Sequence, residues 1–126
     1  MIHGEHYAAR ISSETAHAAN IQRPWERNIA KEVINFLAKS LRTEILLTGS
    51  AGQSLSDLQI STLDLIYILE NGIIWGLPEK TSRKEYFKYK IVGSCLDDTG
   101  LRLSLTVIPN HIGASLNITK ISVTES

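Results

Sequence analysis

Cysteine is almost absent. Cys95 is the single one, so no internal disulfide can form. Long apolar runs are missing too. The hydrophobic stretches are short and broken by polar residues, which leaves no room for a membrane-spanning helix of about 20 residues. The first ten residues, MIHGEHYAAR, lack the basic-then-apolar order of a secretory leader. A lone cysteine without a leader suggests a soluble, cytoplasmic protein. There is no internal repeat or low-complexity tract. Net charge is missing as well: 13 basic and 13 acidic residues cancel, and the pI is near 6.9. That sum counts against a nucleic-acid binder, although the distribution of charge matters more than its total.

What is present fits one ordinary domain. The chain has 126 residues, 43% of them hydrophobic and 21% charged, enough for one two-layer core of helix on sheet. Residues 1–22 are polar and alanine-rich without a clear period. They read as an N-terminal arm with a marginal helix at residues 14–20, and residues 23–126 as a single domain. The cations are not spread evenly. Lys80, Arg83, Lys84, Lys88 and Lys90 fall within eleven residues that hold one acid, Glu85. The acids gather at Asp57, Asp64, Glu70, Asp97 and Asp98.

The hydrophobic period divides the chain in two. Trp25, Ile29, Val33, Phe36, Leu37 and Leu41 recur at three- and four-residue steps, which predicts a helix opening at Pro24 in its first turn. Residues 44–47 suit a short strand or a connector, and residues 50–58 a short helix. Ser61 with Asp64 three residues on predicts a capped second helix, buried through Leu63, Ile66, Tyr67 and Leu69. Asn71-Gly72 would end it, with Gly72 left-handed. From Ile73 the period becomes two. Residues 73–75 suit a short strand before a loop at 76–82; residues 85–92, 101–108 and 114–123 suit three longer strands. Turns fall at 95–100 and 109–113. The fold class expected is α+β, with N-terminal helices on one face of a three- to four-stranded antiparallel sheet.

Alternation sorts the strand side chains onto two faces. Phe87, Tyr89 and Ile91 share one, as do Leu101, Leu103, Leu105 and Val107. The opposite face takes Tyr86, Lys88, Lys90, Arg102, Ser104, Asn117 and Thr119, with a change of phase near Lys120 that calls for a bulge. A cationic, hydroxyl-rich and partly aromatic surface can hold a phosphodiester and stack a base. The same residues also suit an ordinary wet sheet face.

The order of elements resembles the RelE/barnase-type ribonuclease superfamily, and within it the MqsR-like mRNA interferases. The segment Ile45-Leu-Leu-Thr-Gly-Ser-Ala-Gly-Gln-Ser-Leu-Ser-Asp-Leu, the helix at 61–72, Leu103-Ser-Leu-Thr-Val-Ile108 and the closing strand at 117–123 carry the likeness. It implies a metal-independent endoribonuclease toxin, without cofactor, that acts on RNA and is held by a cognate antitoxin. The 2′-hydroxyl of RNA attacks its own phosphate, so a base, a cation for the phosphorane and an acid for the leaving oxygen are needed. Lys88 and Arg102 would hold the phosphate, Tyr86 or Tyr89 would stack a base or give a proton, and His111 has the ordinary pKa for acid–base work. Arg83, Lys84, Lys90 and Ser104 would add RNA contacts. The family commonly has a lysine where Ser104 stands, so either Arg102 takes over the cationic role or the activity is changed or lost. Two other readings stand beside this one. One is a non-catalytic binding or adaptor module that uses the sheet face or edge. The other is an immunity or antitoxin-like partner.

Overall fold

The computed structural model describes residues 24–96 and 100–124. The expected arm at residues 1–22, with its marginal helix and His3, His6 and His17, lies outside them. So do Asp97, Asp98 and Thr99 of the first expected turn.

Three helices, α1 (Arg27–Lys39), α2 (Gly49–Leu58) and α3 (Thr62–Asn71), lie on one face of a sheet. The strands are β1 (Glu44–Leu47), β2 (Ile73–Lys80), β3 (Phe87–Ser94), β4 (Arg102–Asn110) and β5 (Ser115–Val123). Their spatial order is β1-β5-β4-β3-β2. The α+β class and the helix-on-sheet layout are as expected. The sheet is wider, with five strands, and it is mixed: β1 joins the far edge parallel to β5, Ile45 beside Leu116. The run at 73–75 also continues. Gly76, at φ +78°, and a bulge between Trp75 and Glu79 carry β2 on to Lys80 as the other edge strand, which is where Pro78 can be tolerated.

The core forms between the helices and the leucine face. Ile91, Leu103, Leu105, Val107, Leu116 and Ile118 from the sheet meet Val33, Ile34, Leu37, Leu65, Ile68 and Leu69 from α1 and α3. The phase change near Lys120 is real: Thr106 pairs with Lys120 while Val107 pairs with Ile118, and the extra residue returns Ile121 to the core. Trp25 is buried as expected, but it precedes α1. The helix begins at Arg27 after an extended Glu26, so Pro24 lies outside the first turn. Leu41 is exposed instead of buried, because α1 stops at Lys39 and the apolar stripe stops with it. Leu63 and Tyr67 are exposed too, since α3 turns Leu65, Ile68 and Leu69 inward.

The capping box of α3 forms as read from the sequence. Ser61 Oγ accepts from the Asp64 N–H, and Asp64 accepts from the Ser61 N–H at 3.1 Å. Asp64 does more than cap. It is 6% exposed, and its second oxygen accepts from the Leu96 N–H at 2.9 Å, which ties the segment after β3 to α3. The Ser61 N–H above all, with the Leu96 N–H and the Ser61 hydroxyl, holds its pKa below the ordinary aspartate range against the opposing pull of burial. A depressed folded pKa gives stability that is present above the unfolded value and is lost as pH falls through the folded one. Asp64→Asn is therefore expected to cost about 1–2 kcal/mol at neutral pH. It should also flatten the decline in urea stability between about pH 5 and pH 2. An unchanged acid limb in the variant would assign that decline to another carboxylate.

Candidate functional site

The helices leave the second face of the sheet open. Pairing places Lys88, Lys90, Val92 and Ser94 of β3 on it, and Arg102, Ser104, Thr106, Ile108 and Asn110 of β4. From β5 come Ser115, Asn117, Lys120 and Ser122. The cations stand on the three central strands. The carboxylates that the register puts on this face, Glu79 and Glu44, stand on the two edge strands β2 and β1. A chain without net charge thus presents a locally positive strip.

The register also separates the residues along that strip. Tyr89 pairs with Val107, so Lys88 stands level with Ile108, whereas Arg102 pairs with Ser94. Ile108 and Arg102 are six residues apart on β4, roughly 20 Å of extended strand. Lys88 and Arg102 share a face but cannot grip one phosphate together. His111 is on neither spot. Its ring meets Trp25 edge-on at 5.5 Å, and Trp25 belongs to the core on the helix side. Tyr89 is 3% exposed, stacks on Trp25 at 5.6 Å, and accepts the Trp25 N–H on its hydroxyl at 2.9 Å. Tyr89 is therefore a core residue and offers no ring to a base. The expected trio of Lys88, Arg102 and His111 is not brought together.

Larger clefts stand at the two ends of the strip instead. At the Lys88 end, a cleft of about 330 Å³ is lined by Thr81, Arg83, Tyr86, Asn110, Ser115 and Asn117, among others. Thr81 shapes the loop before β3. Its hydroxyl lies 2.9 Å from the carbonyls of Arg83 and Tyr86 and accepts the Arg83 N–H at 3.1 Å. The Arg83 guanidinium lies 5.7 Å from the Tyr86 ring centre, a cation–π distance, and Asn110 Nδ2 donates to the Tyr86 hydroxyl at 3.4 Å. Lys84 is exposed in the same loop. At the Arg102 end, a groove of about 570 Å³ runs between Trp75, Lys90 and Arg102 over Ile73, Val92 and Ser104. Ser104, the position where the resemblance leads one to look for a lysine, is 8% exposed in that groove. Sequence reasoning missed Trp75. Its only signal in the sequence was the glycine beside it; the edge position and the register with Lys90 come from the fold.

Among the described residues no group of three or more histidine, cysteine, aspartate or glutamate side chains could hold a metal ion. No described helix is long and apolar enough to cross a membrane. Cys95 is buried.

The class defined by this geometry is a helix-backed mixed sheet with one open, locally cationic face. No protein-family model, curated protein or solved structure matches the chain.

Proposed function

We propose that this chain is a cytoplasmic domain that binds single-stranded RNA along the open face of its sheet. The observation that carries the reading is the segregation of charge on that face. Lys88, Lys90, Arg102 and Lys120 occupy the centre with hydroxyls and amides between them, and among the described residues of the strands the carboxylates on this face, Glu44 and Glu79, stand at the edges. Cations along a sheet track a phosphate backbone, and a strip of this length suits several nucleotides better than one small ligand.

RNA cleavage is a second reading, favoured by the cleft at Tyr86. There Arg83 would meet the charge on the phosphorane and the Tyr86 hydroxyl would protonate the leaving oxygen. On this reading the chain would be a RelE/MqsR-type toxin with a cognate antitoxin. Among the described residues that line the cleft, none is a histidine or carboxylate able to take the 2′-hydroxyl proton. Binding is for that reason the stronger reading.

Fluorescence anisotropy with a labelled single-stranded oligoribonucleotide tests it. Arg102→Ala and Lys90→Ala should each weaken binding several-fold and lower the slope of log affinity against log salt by about 0.7. Absence of binding at low salt would sink the proposal. A gel of the same mixture tests cleavage. Intact RNA supports the binding module; fragments that vanish with Tyr86→Phe and Arg83→Ala would establish the nuclease.

A further inference from the structure

We infer that Trp75 is a stacking platform for one unpaired base and that the groove beside it is a nucleotide subsite of the open face; this rests on the RNA-binding reading. Trp75 is 63% exposed, so its indole is not a core residue. Its backbone is nevertheless held by the sheet. Its backbone is in register with Lys90, and the ladder breaks immediately after it, where Gly76 takes φ +78° and the bulge begins. The break tilts the rest of β2 and leaves the indole at the wall of the groove.

The groove has the chemistry of a nucleotide. One wall is a large flat ring, which can stack on any base. The floor is Ile73, Val92 and Ser104, apolar enough for the second face of a base and its sugar. Lys90 and Arg102 line it and would meet phosphates of the bound strand. Its volume, about 570 Å³, is within the range of small-ligand clefts. Among the described residues that line the groove none is acidic, so an apolar peptide would meet two cations there. A duplex would keep its bases stacked on one another and out of reach of the indole.

Intrinsic fluorescence reads this directly, because the chain has two tryptophans and Trp25 is buried. Oligouridylate added to the full chain should quench the emission that Trp75→Phe removes, and the oligouridylate–oligoadenylate duplex should not. Trp75→Ala should weaken oligouridylate binding at least about fivefold with the salt slope unchanged, the lower end of what one stacked base contributes. Trp75→Phe should stay within about twofold of the parent, since a phenyl ring also stacks. It also serves as the folded control if the alanine variant loses its circular dichroism. Oligouridylate that binds with equal affinity to parent, Trp75→Ala and Trp75→Phe would overturn the inference and leave the RNA-binding reading standing. No binding by the parent would remove both. A Trp75 emission that shifts with protein concentration alone would show that a second copy covers the groove, and would also overturn it.

Discussion

Trp25→Ala is expected to lower stability by about 3–5 kcal/mol, the usual range for truncating a buried large aromatic side chain. Thermal unfolding should then begin on the order of 15 °C lower, as seen by circular dichroism. Trp25 is 2% exposed although it lies outside every helix and strand. Its ring stacks on Tyr89 with an interplanar angle of 14° and takes the edge contact of His111. The residue therefore closes one end of the core, where α1, β3 and the β4–β5 turn come together. Tyr89→Phe separates the parts of this arrangement. It keeps the stacked ring and removes the acceptor of the buried Trp25 N–H, at a cost of about 1–3 kcal/mol. RNA affinity at a temperature where both variants are folded should not change in either. A large loss of affinity in folded Tyr89→Phe would contradict the placement of Tyr89 in the core.

Gly72→Ala is expected to cost about 3 kcal/mol, at the upper end of ordinary overpacking, and to shift the urea midpoint accordingly. The reason is space and not backbone conformation. Gly72 has φ −71°, which any residue adopts, so the left-handed cap that Asn71-Gly72 suggests does not form. An added Cβ would sit 2.6 Å from the Ile68 carbonyl oxygen, 2.8 Å from the Val92 carbonyl oxygen and 2.8 Å from Ile91 Cγ1. Two of these are backbone atoms, which cannot rotate away. This close approach lets β2 leave α3 without a loop and lie beside β3, with Ile73 opposite Val92 and Trp75 opposite Lys90. The wall of the groove depends on it. Gly76→Ala is the contrasting control. Nothing lies within 4 Å of its Cβ position, but φ is +78°, so its cost should be the smaller left-handed penalty of about 1–2 kcal/mol. Equal costs at the two positions would show that the approach at Gly72 is looser than described.

The local chemistry of the chain was open to reading from residues alone. A run of three- and four-residue spacings before Leu41 and strict alternation after Ile73 are enough for helices followed by a sheet. Ser61 and Asp64 announced their capping box, because both partners lie within one turn. Ile121 out of phase with Ile118 announced the bulge near Lys120, whose extra residue is Thr119. Alternation likewise told which of Tyr86, Lys88, Lys90, Arg102 and Ser104 stand opposite the leucines.

Distances along the face and contacts across the chain were another matter. Four residues of β1 carry too little pattern to reveal that they pair with β5, about seventy positions away. Residues 76–80 look like a loop, since glycine and proline break a strand unless a bulge at an edge accommodates them. Tyr89 alternates with the core residues, yet its hydroxyl suits a surface role until a buried N–H claims it. His111 turns toward Trp25 because the β4–β5 turn packs over the end of the core. The sequence by itself determined which side chains share a face, since side-chain direction in a strand repeats every two residues. Only the tertiary structure decided how far apart they stand, since that depends on strand register. Register separates Lys88 from Arg102 and sets Trp75 beside Lys90.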